Sequence, residues 1–445
     1  MAKQVISKSA EPSLSISEIS VSANKGGKTA SLLRGTIRLE YYESIMQDTI
    51  RAIIIFADTG DSVDNKTVLD GLPLVGSEKV KLKFSDNNEN EIELTLFVNK
   101  VTPLYDDTTK SMVELDLTSK EFLINDKVRL NKRFDGKISD YVKTIFSDSN
   151  FLGSDKKCEI EPTQNSLNCI PAQWKPMYTI NWLSKWSVSE KQQFGVSAGY
   201  FFFETSEGYK FKSIDGLLSQ EKKKSIIFNN TPDSRGENIP AGYDIKAIEY
   251  ERDNRVDIQS KFEMGAYSTR TILFDPFNCY YEVINPIAKK DSLKLGGKDL
   301  PSDYINPELV RSGKDKEFSR TQYMLVDTGT LPSGSTKQQL EKSKEKNFDA
   351  KNILNQSAMR YNQLFASTCS ILIPGDFSLH AGDAVFFDAP PQNSEKNYEV
   401  NKQTGGLYII TDLCHHITTN GTFTRLNLAR DSFGRKGNHT SGSIS

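Results

Sequence analysis

The sequence predicts a multi-domain, mainly β protein with α+β parts. Its 445 residues are too many for one hydrophobic core and correspond to about two to four domains. Short segments with strand-like alternation, separated by turn residues, fill residues 14–118 and return after residue 223. Between them, residues 119–222 carry helical spacing as well as a hairpin signal. These three observations predict two β domains flanking an α+β domain.

The first β domain is predicted to span residues 14–118, after a polar, flexible arm at residues 1–13. Six short apolar or alternating segments read as its strands, at residues 14–21, 37–42, 51–58, 79–84, 92–101 and 112–119. Gly, Asn and Asp clusters separate them. So many short strands within about a hundred residues indicate an antiparallel β-barrel or sandwich.

Residues 119–222 are predicted to form a separate α+β domain. Residues 138–146 have the spacing of an amphipathic helix, with Ser139 as a plausible N-cap, and residues 176–186 suggest a second one. An aromatic hairpin follows, with strands at residues 199–205 and 209–213.

The second β domain is predicted to be discontinuous, at residues 223–260 and 350–432. Its clearest signal is an Asn-Gly pair, the preferred sequence of a type I′ turn, between two β-rich runs near the end of the chain. Two Gly-Asp turns precede it and bracket a short strand. The structural turn residues predicted for this domain are Gly375, Asp376, Gly382, Asp383, Asn420 and Gly421. Residues 261–349 form an inserted domain or a long excursion, and residues 433–445 a flexible tail.

The two β domains share an order of features. Each has a glycine turn, a strand begun by an acidic residue, a long strand and a closing strand with the pattern Leu-Asp/Asn-Leu. These windows are 76–80, 91–101 and 111–119 in the first domain, and 382–385, 407–417 and 423–431 in the second. Either any two β-meanders look alike in this way, or the chain contains a duplicated barrel. Three copies of a duplicated chain would present six similar units around an axis, which suits the joining of threefold and sixfold objects.

Composition excludes several classes of protein. The 56 basic and 58 acidic residues give a net charge of −2, which favours neither a nucleic-acid nor a membrane partner. No apolar run reaches the roughly 18 residues of a membrane-spanning helix, and residues 1–5 lack the apolar core of a signal peptide. A chain made in a cytoplasm is therefore expected. Its five scattered cysteines are then expected to be free thiols, although Cys158 and Cys169 could pair.

No catalytic, metal or cofactor site is predicted. His415 and His416 are neighbours on a strand, so their side chains point to opposite faces and do not share a metal easily. Cys414, His416 and Asp431 have the residue types of a hydrolase, which keeps a Cys/His hydrolase open as an alternative. A receptor- or carbohydrate-binding tail module is the other alternative, resting on the aromatic run at residues 200–203.

The order of features over residues 14–432 resembles the baseplate hub proteins of contractile-tailed phages, that is, the T-even central hub family and its relatives in other contractile injection systems. The segments that carry the resemblance are residues 42–45, 72–78, 199–204, 208–211, 374–376, 382–383, 408–410 and 425–431.

The resemblance implies a non-enzymatic structural protein of the virion, located in the tail baseplate. Each chain would contain two tail-tube-like barrel domains, and three chains would form a homotrimeric ring. This ring would adapt the sixfold tail tube to the threefold cell-puncturing spike. The implied partners are the tail tube protein and the trimeric spike protein, with the tape measure and baseplate wedge proteins as further candidates. The resemblance implies neither a cofactor nor membrane binding. It implies no specific nucleic-acid binding either, because DNA would only pass through the central channel.

Overall fold

The computed structural model describes most of the chain. The described residues are 16–60, 63–107, 110–190, 198–228, 239, 242–254, 257–266, 269–276, 279–284, 293–300, 303, 306, 308, 320–325, 335–342, 350–389, 405–419 and 421–434. The predicted arm at residues 1–13 and residues 435–445 of the predicted tail lie outside them. The start of that tail is anchored, because Phe433 exchanges backbone hydrogen bonds with Asp299.

Seven strands and one short helix form a first β unit. They are β1 (Ile16–Ser22), β2 (Thr29–Ser31), β3 (Thr36–Ser44), β4 (Arg51–Asp58), α1 (Val68–Gly71), β5 (Lys79–Ser85), β6 (Glu91–Asp106) and β7 (Ser111–Thr118). The alternation that predicts the strands also sets their faces. In β5, for example, Val80, Leu82 and Phe84 are fully buried, and the lysines between them face outward.

The α+β region follows, with its own core and two small sheets. Its elements are α2 (Lys120–Lys127), β8 (Phe134–Lys137), α3 (Ile138–Ser147), β9 (Cys158–Ile160), β10 (Ser166–Cys169), α4 (Pro176–Ser184), β11 (Tyr200–Thr205), β12 (Gly208–Ser213) and α5 (Ile214–Leu218). The predicted helix at residues 138–146 is present, but Ser139 is not its N-cap. Lys137 holds that position, and the Ser139 N–H donates instead to the Thr163 hydroxyl.

A second β unit completes the chain and is interrupted by an insertion. It begins with β13 (Lys224–Phe228), β14 (Ile245–Ala247) and β15 (Glu249–Asn254). The insertion contains α6 (Ile258–Met264), β16 (Thr269–Asp275), β17 (Tyr280–Ile284), β18 (Arg320–Leu325), α7 (Thr336–Lys342) and α8 (Ala350–Leu364). The unit then resumes with β19 (Ser367–Pro374), β20 (Ala384–Asp388), β21 (Gly406–Thr418) and β22 (Gly421–Arg430).

The two β units have the same strand order. The first runs β3-β4-β7-β6-β5-β1-β2 across the sheet, and the second runs β15-β19-β22-β21-β20-β13-β14. Numbered within each unit, both orders are 3-4-7-6-5-1-2. One strand differs in direction, because β13 is parallel to both its neighbours whereas β1 is antiparallel to both of its own.

The likeness extends to single residues. Both long strands carry a bulge at the same point, between Val98 and Lys100 in β6 and between Ile410 and Asp412 in β21. Just before each bulge a backbone N–H donates to the carbonyl of the acidic residue that immediately precedes the neighbouring strand: Val98 to Glu78, and Ile410 to Asp383. Shared order together with a shared bulge position indicates a duplicated unit rather than a chance likeness of two meanders.

The two units are joined in one sheet. Strand β21 is longer than its neighbour β20, so its first residues pair with β20 while Asp412–Thr418 pair with β3 of the first unit. The result is a 14-stranded sheet over a hydrophobic core that draws on both units. The mainly β class with α+β parts and the two similar β units are confirmed. In the ladders that the structure describes, however, the units are open parts of one sheet and not two separate closed barrels.

All five cysteines are free thiols, including Cys158 and Cys169. Within the described part of the chain, no helix combines the length and the apolar character needed to cross a membrane. The boundaries proposed above for the domains stay predictions.

Candidate functional site at the junction of the two β units

The ladder between β3 and β21 is the point where the two units meet. Seven residue pairs form it, from Ser44 opposite Asp412 to Arg38 opposite Thr418. Its inward-facing side chains are Leu39, Tyr41, Glu43, Leu413, His415 and Ile417, all of them buried. Its outward-facing side chains include Glu40, Tyr42, Cys414 and His416. The two histidines therefore point to opposite faces, as the sequence predicts.

His415 is enclosed in an aromatic cluster. Its ring stacks on Tyr41 at 5.8 Å between centroids, and Phe377 packs against it at 4.5 Å. Nδ1 lies 2.9 Å from the Thr424 hydroxyl. Burial lowers the pKa of His415 to about 3, so the ring is neutral at physiological pH.

Glu43 ties three distant parts of the chain together at the inner face. Its carboxylate accepts hydrogen bonds from the Tyr41 hydroxyl, the Ser206 N–H and the Ala381 N–H, at 2.7, 2.8 and 2.9 Å. His380 Nδ1 lies 3.4 Å away. Burial opposes ionisation, but His380 and the two backbone donors outweigh it and hold the pKa of Glu43 at about 2. One ionised carboxylate thus connects β3, the β11–β12 turn and the loop before β20.

The outer face holds a second polar group around Glu40. His416 Nδ1 lies 3.0 Å from Glu40 Oε1, and the Tyr42 hydroxyl donates to Oε2 at 2.6 Å. Burial and the nearby Glu40 carboxylate raise the pKa of the Cys414 thiol to about 12. A thiol held in its protonated form is a poor nucleophile.

The hydrolase set is not assembled. Cys414 and His416 share a strand face, but Asp431 lies just beyond the far end of β22, about 20 Å along the strand from the residue opposite Cys414 and about 26 Å from the residue opposite His416. There it accepts hydrogen bonds from Arg360 at 2.5 Å and from the Gly296 N–H at 2.9 Å. Among the described residues, no three His, Cys, Asp or Glu side chains are grouped so that they could hold a metal ion.

The first predicted Gly-Asp turn packs against the hairpin of β21 and β22. The Gly375 N–H donates to the Thr422 carbonyl, and a β-carbon at residue 375 would lie 2.5 Å from the Thr422 side chain. Asp376 is buried and accepts hydrogen bonds from the Ser378 N–H and hydroxyl. Gly421 is the first residue of β22 and pairs with Thr418, so it does not occupy the central turn position that the sequence predicts for it. Asn420 lies outside the described residues.

The second Gly-Asp turn contacts the α+β region. Gly382 has φ +83°, and a β-carbon there would lie 2.6 Å from Cζ of Phe203 in β11. Asp383 accepts hydrogen bonds from the His380 N–H and from Lys223 Nζ. This turn therefore needs glycine for its backbone conformation and for the close approach of an aromatic ring.

Gly382→Ala is expected to destabilise the protein by about 1–3 kcal/mol, because it adds a steric contact to an unfavourable φ. Urea denaturation measures the change. Gly26→Ala is the matched control, since Gly26 has φ +84° and a β-carbon there would meet no atom within 4 Å. Equal losses of stability in the two variants would show that the Phe203 contact contributes nothing.

The pH dependence of stability is expected to reflect His415. The unfolded state binds a proton at this residue near pH 6.5, whereas the folded state does so only near pH 3, so stability falls as the pH drops through that window. The loss reaches about 2 kcal/mol at pH 5. His415→Phe should reduce the difference in unfolding free energy between pH 7 and pH 5 by this amount. An unchanged difference would contradict the assignment.

The aromatic hairpin does not line a groove. Tyr200, Phe201, Phe202 and Phe203 are all buried in β11. The receptor- or carbohydrate-binding alternative depended on exposed aromatic residues here, and it loses that support.

Two buried charge networks were not predicted. In one, Arg360 of α8 bonds Asp215 of α5 at 2.6 Å and Asp431 at 2.5 Å, and all three side chains are about 1% exposed or less. These residues lie 145 and 71 positions apart in the chain. No local spacing signals such a contact, although an arginine within a helix that packs on a core is a hint.

The second network joins the α+β region to the first β unit. Glu204 accepts hydrogen bonds from Lys156 Nζ, the Ser119 hydroxyl and the Ile50 N–H. Lys156 also reaches Glu121 at 2.8 Å. Burial raises the pKa of Glu204, whereas at Glu121 the effect of burial is outweighed by Lys156 and the pKa is lowered.

Comparison with known proteins finds likeness in structure alone. No protein-family profile matches the sequence, and no curated protein matches it. The 43 kDa tail protein of prophage MuSo2 from Shewanella oneidensis superposes with a TM-score of 0.51 at 9% identity, over 93% of this chain and 98% of that one. The tail protein from Neisseria meningitidis MC58 gives 0.50 at 10% identity, over 93% and 96%. The chain has a phage tail-protein fold.

A lower score is found for a secretion-system protein. The E. coli c3393 protein, described as a component of the type VI secretion system with similarity to T4 bacteriophage tail proteins gp27 and gp5, matches with a TM-score of 0.42 at 8% identity, over 96% of this chain and 80% of that one.

The tail-protein fold spans nearly the whole chain in the two matches at 0.50 and above, so it includes both β units and the α+β region.

Proposed function

We propose that this chain is a structural hub of a contractile tail. Three copies form a ring in the baseplate of the virion, between the sixfold tail tube and the threefold cell-puncturing spike. The protein acts through its contacts with other subunits and not through catalysis. Its place in the baseplate and its threefold symmetry are proposed here in addition to the tail-protein fold.

The observation that carries the proposal is the duplicated β unit. Two units of the same strand order, fused through the β3–β21 ladder, give each chain two similar faces. Three such chains around an axis present six similar units on a threefold object. Each of the six units can then contact one subunit of a sixfold tube in a similar way, while the threefold ring as a whole contacts a trimeric spike.

The buried charged side chains fit the role of a rigid adaptor. Glu43, Glu204 and Arg360 each connect elements that are far apart in the chain, and each is buried. Such cross-links hold the β units and the α+β region in one fixed arrangement, which a rigid adaptor requires. The tail tube and spike proteins are the proposed direct partners, with the tape measure and baseplate wedge proteins beside them.

Co-purification with candidate partners tests the proposal. The purified chain should have a mass of about 150 kDa by light scattering, three times its 50.0 kDa, and should retain both the tube protein and the spike protein of the same tail. A stable monomer that binds neither protein would overturn it.

A further inference from the structure

We infer that neighbouring copies join by pairing β15 of one chain with the second half of β6 of the next, at residues 99–106. This contact repeats between chains the ladder that β3 and β21 form within a chain. The inference rests on the proposed ring and names the surfaces that close it.

The second half of β6 has an open edge. Strand β5 pairs with β6 only as far as Phe97, and beyond that point the described ladders place β7 alone beside it. In the second unit the equivalent stretch of β21 is occupied on both sides, by β22 and by β3. The first unit thus lacks the neighbour that its duplicate has.

Strand β15 has the complementary open edge. It is the third strand of the second unit and corresponds to β3 in the first. Strand β3 pairs with β4 on one side and with β21 on the other, whereas the described ladders give β15 only β19. Each chain therefore offers one unfilled position and one unused strand of the kind that fills it.

The ladders fix which residues correspond. Counted from the shared bulge along the pairings with β7 and β22, Thr102 is equivalent to Cys414, and Tyr105 is equivalent to His416. The same count along β4 and β19 makes Glu251 equivalent to Glu40, and Asn254 equivalent to Tyr42.

The formed ladder then predicts the register of the new one. Glu40 lies opposite His416 and Tyr42 opposite Cys414, so Glu251 should lie opposite Tyr105 and Asn254 opposite Thr102. Relative to their duplicates, β6 and β15 each contain one extra residue between these two positions. The two extra residues face each other, so both pairs fall on a single uninterrupted antiparallel register. Two independent irregularities that match in this way are the strongest support for the pairing.

Exposed apolar side chains lie at both edges. Leu104 and Tyr105 on β6 are 47% and 50% exposed, and Ile248 beside β15 is 47% exposed. Pairing would cover these side chains. Pro103 has no N–H and donates no ladder hydrogen bond, so the pairing depends on the other residues of this edge.

The two edges are different surfaces, so the contact is head-to-tail. A head-to-tail contact produces a closed ring when its rotation closes. A three-chain ring would contain six β units and six junctions between them. Three junctions would be β3–β21 ladders within a chain, and these would alternate with three β15–β6 ladders between chains.

Disulfide trapping tests the register directly. In a Cys279→Ser background, which removes the exposed native thiol, Glu251→Cys combined with Tyr105→Cys should give disulfide-linked dimers and trimers on mild oxidation. The control pair combines Glu251→Cys with Glu93→Cys, because Glu93 lies on the same strand where β5 already occupies the edge. Equal cross-linking in the two pairs, or none in a trimeric protein, would overturn the pairing.

Charged substitutions at the two facing positions test the strand pairing separately from the formation of the ring. Tyr105→Glu should raise the dissociation constant of the trimer roughly tenfold or more, since it faces Glu251, and adding Glu251→Lys should restore assembly. Val75→Glu, at a residue 83% exposed in the same unit, should leave assembly unchanged. A trimer indifferent to Tyr105→Glu overturns only the pairing, whereas a monomeric wild-type chain overturns the proposed ring and the pairing together.

Discussion

Replacing Arg360 by alanine is expected to lower the free energy of unfolding by about 3–5 kcal/mol. The guanidinium group satisfies two carboxylates, Asp215 and Asp431, that are themselves almost fully buried. Its loss leaves two negative charges in a medium that solvates them poorly. It also frees the Lys294 carbonyl, to which Arg360 Nη2 donates at 2.7 Å. Urea denaturation followed by circular dichroism measures the change.

Arg425→Ala is the matched control for this prediction. Arg425 lies 3.8 Å from Glu249, but both side chains are more than half exposed, so its removal should cost less than about 1 kcal/mol. Similar losses in the two variants would mean that burial does not strengthen the Arg360 cluster. Such a result would also remove the argument that this cluster fixes α5 and α8 to the end of β22.

Glu43→Ala is expected to have an effect of similar size, about 3–5 kcal/mol. The substitution removes the hydrogen-bond acceptor of the Tyr41 hydroxyl and of the Ser206 and Ala381 N–H groups, and it removes the carboxylate beside His380. Each buried donor without a partner costs about 1–3 kcal/mol. Limited proteolysis should detect loosening of the β11–β12 turn before global unfolding.

Glu43→Gln and Glu91→Ala bracket the result. Glutamine keeps one acceptor oxygen, so the free energy of unfolding of Glu43→Gln should lie between those of the wild type and Glu43→Ala. Glu91 bonds Lys83 at 2.6 Å at the surface, and Glu91→Ala should change stability by less than about 1 kcal/mol. A Glu43→Ala protein as stable as Glu91→Ala would show that Glu43 does not hold the three segments together.

The strands were predictable because their signal is local. The alternation of lysine with Val80, Leu82 and Phe84 marks β5 and its inner face at once. The hairpin of β21 and β22 was likewise predictable from the Asn-Gly pair between two β-rich runs, although Gly421 lies in β22 and not in the turn itself. Opposite orientations for His415 and His416 needed only the period of a strand.

The pairing of β3 with β21 was not predictable by such arguments. It joins segments about 370 residues apart, and nothing in either strand specifies the partner. The internal repeat indicated two similar units, but whether they remain separate or fuse into one sheet depends on the length by which β21 exceeds β20. For the same reason the contacts of Glu43 and Arg360 were missed, since buried ion pairs form between segments that only the folded chain brings together.

Low-resolution electron microscopy of the purified chain tests the central claim most directly. We predict ring-shaped particles with a central channel, threefold symmetry and six similar lobes around the channel. Compact particles of a single chain without a channel, at concentrations well above those of assembly in the cell, would contradict the account.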